Sequence, residues 1–173
     1  EKVDLSPIID RLDMKVSKIK EKYIYLESRY FDERKYTNEI DLLDEIAEKV
    51  GKENIVVKLY TKESFLRFSL RGYRTIFLTD DEWFAFCIST EIEKHYLISV
   101  YPHQIGYYLN SKSNFAGEIY LYKMLVGKID FITSNSFRKF MEQYKKYLDE
   151  KGILLYLPDD ADKLYMTLNY IEG

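Results

Sequence analysis

The sequence has little cysteine, glycine or proline and no long apolar run, and each of these absences excludes a class of protein or site. Cys87 is the only cysteine, which excludes an internal disulfide and a zinc site built from paired cysteines. Seven glycines and three prolines leave little room for flexible linkers. No apolar run approaches the roughly 20 residues that cross a bilayer, and residues 1–12 lack the apolar stretch of a secretory signal. These absences predict one cytoplasmic domain over residues 1–173, with no membrane partner.

The sequence also lacks the motifs that usually carry nucleotide or acyl-transfer chemistry. No glycine lies in a GxGxxG or GxxxxGK[ST] pattern, which disfavours a P-loop nucleotidase and a Rossmann dehydrogenase. Only two histidines are present, His95 and His103. Cys87 could meet His95 across adjacent strands, but it follows Phe84 and Phe86 in an apolar segment that is typical of a buried, structural cysteine. We therefore predict no cofactor, no metal and no catalytic residue.

What is present indicates a folded domain rich in aromatic residues. Hydrophobic residues make up 46% and charged residues 32% of the chain, far from the composition of a disordered protein. The net charge of −3 is too small to indicate a polyanion partner. The 17 tyrosines and 10 phenylalanines suit core edges and interfaces, although a coding bias toward Tyr, Lys, Ile and Glu explains them as well.

The longest pattern is an apolar repeat in the N-terminal region. Its spacing alternates between four and three residues, the 3.5-residue period of a coiled-coil seam. This repeat predicts a long N-terminal helix, projecting or forming an interface within residues 1–35. The alternatives are a helix packed on the protein's own sheet, and a strand between Lys22 and Phe31, where β-favouring residues are frequent. The predicted interface residues are Leu5, Ile9, Leu12, Val16, Ile19, Tyr23, Leu26 and Tyr30.

The rest of the chain predicts an α+β fold. One amphipathic helix begins at Thr37 or Asn38 and ends at Gly51, and another begins at Thr133 or Ser134 and ends at Gly152. Apolar runs predict strands at residues 55–60, 73–79, 83–89, 95–101, 153–157 and 164–170. Residues 64–71 fit a strand or a short helix, and residues 115–126 a helix. We predict a mainly antiparallel β-meander of five to seven strands, with the helices packed on one side.

Acidic residues in two predicted turns are the weak catalytic candidates. Asp80 and Asp81 lie in the first turn, and Glu91 and Glu93 lie in the second, shortly before His95. Clustered carboxylates can hold the divalent metal of a nuclease. Asp-Asp is also a common turn sequence, and no Glu-x-Lys pattern accompanies the acids, so a structural role is favoured.

A basic and aromatic segment is the best candidate for nucleic-acid binding. Arginines that alternate with aromatic residues can grip single-stranded nucleic acid by phosphate pairing and base stacking. The alternative is ion pairing with the abundant acidic residues. The predicted contact residues are Arg67, Arg71, Tyr73, Arg74 and Lys139.

Together these features favour a non-enzymatic interaction protein that associates with itself or with another protein. The alternatives are a nucleic-acid-binding protein that uses the arginines, and a nuclease dependent on a divalent metal.

Overall fold

The computed structural model describes residues 19–27, 39–87, 89–99, 117–120, 154–156 and 161–172, with positions 139, 142–143, 145–146 and 149–150. Within these residues the chain forms one six-stranded sheet, and all five strand pairs are parallel. The strand order across the sheet is β3-β2-β1-β4-β5-β6. The strands are β1 (Tyr23–Leu26), β2 (Ile55–Leu59), β3 (Arg74–Phe77), β4 (Tyr96–Ser99), β5 (Gly117–Tyr120) and β6 (Leu154–Tyr156).

Helices connect the first four strands, as parallel neighbours require. An α-helix follows each of β1, β2 and β3, and another follows β6. The described positions between 139 and 150 are also helical. Short 3₁₀ segments lie at Lys52–Asn54, Lys62–Ser64 and Thr90–Lys94. The helices are α1 (Glu39–Val50), α2 (Phe65–Ser69), α3 (Asp80–Cys87) and α4 (Ala161–Glu172).

The sheet is covered on both faces. On one face Tyr25 joins a core cluster that includes Leu43 of α1 and Leu168 of α4. Successive strand residues point to opposite faces, and Lys58 on the other face lies with its Nζ 4.9 Å from the centre of the Trp83 ring of α3. The predicted antiparallel meander with helices on one side is therefore wrong. The sheet is parallel, and its helices lie on both faces.

The cause of the error is visible where a hairpin turn was predicted at Asp80 and Asp81. The Thr79 hydroxyl accepts a hydrogen bond from the Glu82 backbone N–H at 3.2 Å, and the Glu82 carboxylate accepts one from the Thr79 N–H at 3.1 Å. This reciprocal pair is a capping box, which begins a helix. Residues 80–87 are thus helical, and the strand predicted at residues 83–89 is wrong.

The final strand predicted at residues 164–170 is also wrong. This segment is the helix α4, in which Leu164 and Leu168, four residues apart, are buried. Met166 is 69% and Tyr170 is 72% exposed, whereas a strand would place all four residues on one face. The helix predicted over residues 115–126 is likewise wrong between Gly117 and Tyr120, which form β5.

The predicted long N-terminal helix is wrong where it covers Tyr23 to Leu26, because these residues form the strand β1. This segment lies in the middle of the parallel sheet, where both strand faces are buried, and all four residues are buried. The alternative of a strand between Lys22 and Phe31 is therefore confirmed for these residues. Ile19 is also buried. The other members of the predicted seam, Leu5, Ile9, Leu12, Val16 and Tyr30, lie outside the described residues.

Other predictions are confirmed. The helix that ends at Gly51 is α1, and Gly51 has φ = 89° and donates its N–H to the Ala47 carbonyl at 2.8 Å. Strands occupy most of the predicted segments 55–60, 73–79, 95–101 and 153–157, and the short-helix alternative for residues 64–71 is correct. None of the helices in the described residues is long and apolar enough to cross a membrane.

Candidate ligand site at the carboxyl edge of the sheet

The order of the strands reverses between β1 and β4. The chain proceeds outward from β1 to β2 and β3, and then returns to place β4 on the other side of β1. At such a point the connections that follow the two strands lead in opposite directions, and a crevice opens outside their carboxyl ends. Leu26 and Ser99 are paired in register at this edge. Glu27 follows β1 directly, and both Glu27 and Ser99 are buried.

Glu27 connects the end of β1 to the segment that follows β2. Its carboxylate accepts a hydrogen bond from the Tyr60 N–H at 3.1 Å and another from the Ser64 hydroxyl. Burial raises the pKa of Glu27, although these hydrogen bonds and the charges of Arg67 and Lys58 oppose the increase. The site therefore contains a carboxylate that the fold does not fully stabilise in its ionised form.

A second buried carboxylate lies at the start of α1. Glu39 has no exposed surface, and it accepts hydrogen bonds from the Tyr25 hydroxyl at 2.6 Å and from Arg67 Nη1 at 3.3 Å. Burial and the neighbouring Glu39 charge raise the pKa of Tyr25 well above its usual range. This network thus links β1 to α1 and α2 near the carboxyl edge of the sheet, through Tyr25, Glu39 and Arg67.

Buried ionised groups are a costly way to hold a fold together. Pairs of buried charges are seldom more stable than apolar side chains of similar size, and perturbed carboxyl groups concentrate at functional sites. The Glu27 carboxylate can accept hydrogen bonds from hydroxyl or amino groups of a ligand. In the part of the chain that the structure describes, no group of three or more His, Cys, Asp and Glu residues could hold a metal ion.

Two of the residues predicted to bind nucleic acid contact acids of α1. Arg71 pairs with Asp41 at 3.1 Å and also with Asp44. The Tyr73 hydroxyl donates a hydrogen bond to Asp44 at 2.5 Å, and the Tyr73 side chain is buried. In this arrangement the Tyr73 ring is not available for base stacking.

The remaining predicted contact residues are dispersed. Arg67 lies in the network with Glu39, at the carboxyl edge. Arg74 begins β3 and pairs with Glu21, which precedes β1, so it lies at the amino edge. Lys139 is exposed on the described part of the later helix. Each of the three arginines therefore contacts a carboxylate, as the ion-pairing alternative anticipates.

The weak catalytic candidates are also separated by the sheet. Asp80 and Asp81 are exposed in the first turn of α3, which follows the carboxyl end of β3. Glu91, Glu93 and His95 precede β4 and lie at its amino end, where Glu91 binds Lys94 at 2.9 Å. The two acidic segments are therefore at opposite edges of the sheet.

The surroundings of His95 indicate a structural role for this side chain. Its Nδ1 lies 2.7 Å from the backbone carbonyl oxygen of Glu21, and its ring centre is 6.0 Å from that of Phe86. Burial lowers the pKa of His95, so the neutral imidazole is favoured. The Cys87 side chain lies outside what the structure describes.

Sequence reasoning missed Glu27, Glu39 and Ser64. One signal was present, because Glu27 directly follows the apolar run Tyr23 to Leu26, and a charge at the end of such a strand lies where parallel sheets hold ligands. The comparisons add no further constraint, since no family model, no curated protein and no solved structure matches the chain.

Proposed function

We propose that this protein binds a nucleoside or nucleotide in the crevice at the carboxyl edge, between β1 and β4. The observation that carries the proposal is the reversal of strand order beside the buried Glu27 carboxylate. The strand order 3-2-1-4-5-6 is that of dinucleotide-binding α/β domains, whose ligands lie at this position. The chain lacks their glycine-rich loop, so recognition depends on side chains at the strand ends.

Glu27→Gln is expected to weaken the binding of such a ligand by about tenfold or more, because a hydrogen bond to a charged group contributes about 1.5–3 kcal/mol. Isothermal titration calorimetry with the common nucleosides and their 5′-phosphates measures this change. Absence of binding at millimolar concentration by every compound would disprove the proposed function.

Glu21→Gln is the matched control, because Glu21 is a buried glutamate at the opposite end of the same strand. Burial opposes the ionisation of Glu21, but hydrogen bonds from Arg74 and nearby backbone lower its pKa overall. Its carboxylate therefore stabilises the fold above the unfolded-state pKa, and this contribution is lost as the pH falls through the folded-state pKa. We expect Glu21→Gln to reduce stability at pH 7 and to leave ligand affinity unchanged.

The pKa of Glu27 shifts in the opposite direction to that of Glu21. Because its pKa is raised in the folded state, its contribution to stability is present below the unfolded-state pKa and is lost as the pH rises through the folded-state pKa. The carbonyl oxygen of glutamine can accept the hydrogen bond from the Tyr60 N–H, and its amide group can donate one to the Ser64 hydroxyl oxygen, without the buried charge. Glu27→Gln should therefore be at least as stable as the parent at pH 7 in urea unfolding, which separates loss of binding from loss of fold.

We also propose self-association, which a separate surface on and beside α2 favours. Phe65 is 51%, Leu66 is 61% and Leu70 is 81% exposed, and large exposed apolar side chains within one short segment favour an interaction site. The double variant Leu66→Ser with Leu70→Ser is expected to reduce the mass measured by light scattering to that of a monomer. Met166→Ser, at a similarly exposed position on α4, should not. A monomeric parent at high micromolar concentration would refute this proposal.

A further inference from the structure

The first connection of the sheet lacks the glycines of a dinucleotide phosphate site. In dinucleotide-binding domains with this strand order, the diphosphate lies on the start of the helix that follows β1, and glycines let the backbone approach it closely. Here residues 27–38 contain no glycine. The first residue of α1 is Glu39, whose carboxylate is fully buried.

Glu39 lies in the first turn of α1, the part of a helix where a bound phosphate would need positive potential. The helix start favours one negative group, and Glu39 already supplies it. Arg67 donates to Glu39 at 3.3 Å, so its charge is compensated there, and the second buried carboxylate, Glu27, lies nearby at the end of β1 and also interacts with Arg67. A phosphate at this point would meet like charges in a buried setting, where screening by water is weak.

We infer that Glu39 determines specificity by excluding phosphate from the start of α1, so that the ligand presents an uncharged, hydroxyl-bearing group, such as a ribose, to the end of β1. There the Glu27 carboxylate is the hydrogen-bond acceptor. This inference rests on the proposed function and specifies which part of the ligand lies against β1. The phosphates of a nucleotide then lie away from the start of α1.

The test compares adenosine, uridine, guanosine and cytidine with their 5′-diphosphates by isothermal titration calorimetry. The parent protein is expected to bind the best nucleoside at least as tightly as its diphosphate. Glu39→Gln keeps an acceptor for the Tyr25 hydroxyl and removes one of the two buried negative charges that interact with Arg67. We expect this variant to bind the diphosphate about tenfold more tightly relative to the nucleoside, or about 1.4 kcal/mol.

Asp41→Asn is the matched control, because Asp41 lies in the same helical turn and undergoes the same change of charge at a 58% exposed side chain. Asp41→Asn should change the ratio of diphosphate affinity to nucleoside affinity by no more than about twofold, since exposed charges are well screened. If Glu39→Gln does not fold, the relative affinities of the parent protein for the nucleoside and its diphosphate still test the inference. A parent that prefers the diphosphate about tenfold or more, or a folded Glu39→Gln with an unchanged ratio, would overturn the inference alone. Failure of every compound to bind would overturn the proposed function as well.

Discussion

Replacing Arg67 with methionine is expected to destabilise the protein by about 3 kcal/mol, the lower end of the loss observed when a buried ion pair loses one partner. Arg67 donates a hydrogen bond to Glu39, which has no exposed surface. Without the guanidinium group, the Glu39 charge stays buried and has lost its cationic partner Arg67, although it keeps the hydrogen bond from the Tyr25 hydroxyl. The Arg67 side chain is itself 24% exposed, which is why the lower end applies. Urea unfolding at pH 7 measures the change.

Arg71→Met is the control, because Arg71 pairs with Asp41 and Asp44 at the surface. Exposed pairs contribute little because water and salt screen them, so this loss should be much smaller. Adding Glu39→Gln to Arg67→Met should restore more than half of the lost stability, because the buried charge that lost its arginine partner is then removed. Equal losses for the two arginines would show that Glu39 does not depend on Arg67.

The same arginines show where sequence reasoning ends. Arg67 and Arg71 are four residues apart and alternate with aromatic residues, a pattern that indicates a nucleic-acid surface as readily as a set of ion pairs. Their partners, Glu39 and Asp44, lie 28 and 27 residues earlier in the chain. A pairing at this distance depends on how α1 packs against the sheet, and no local pattern contains that information.

Local signals correctly predicted several elements. The helix α1 has an apolar stripe, and a glycine with positive φ follows its last residue. Both signals lie within about a dozen residues, so the local sequence is enough to predict this helix and its end. The segment Thr79 to Glu82 was ambiguous, because Asp-Asp favours a turn and Thr-x-x-Glu favours a helix start. The reciprocal hydrogen bonds of Thr79 and Glu82 show that the second signal dominates. A hairpin turn at this segment would make the next strand antiparallel to β3. A helix there allows the next strand of the sheet to run parallel to it.

The direction of the strands was also indicated by composition, although weakly. The strand β1 is a continuous apolar run, and β4 is apolar up to its last residue, Ser99. Little alternation of this kind is expected where both faces of a parallel sheet are buried. Short runs of this kind do not distinguish a buried strand from a buried helix. The site at the carboxyl edge could not be predicted for a related reason. Glu27 and Ser99 are 72 residues apart, and only the strand order brings β1 and β4 together.

Leu168→Ala is expected to destabilise the protein by about 2–5 kcal/mol, as truncation of a fully buried leucine usually does. Leu168 lies on the inner face of α4 and belongs to the main core cluster with Leu43 and Ile46 of α1. Met166→Ala should change stability by only about 0.5 kcal/mol or less, because Met166 points outward. Thermal and urea unfolding of both variants measures the difference.

This pair separates the helix from the strand that the alternating residues first indicated. In a strand, Leu164, Met166 and Leu168 would share one buried face, and truncation of Met166 would be as costly as truncation of Leu168. In the helix α4, burial follows the spacing of four residues, so Leu164→Ala should resemble Leu168→Ala. Comparable losses at Met166 and Leu168 would contradict the helix, and with it the cover that α4 provides for the face of the sheet that carries Tyr25.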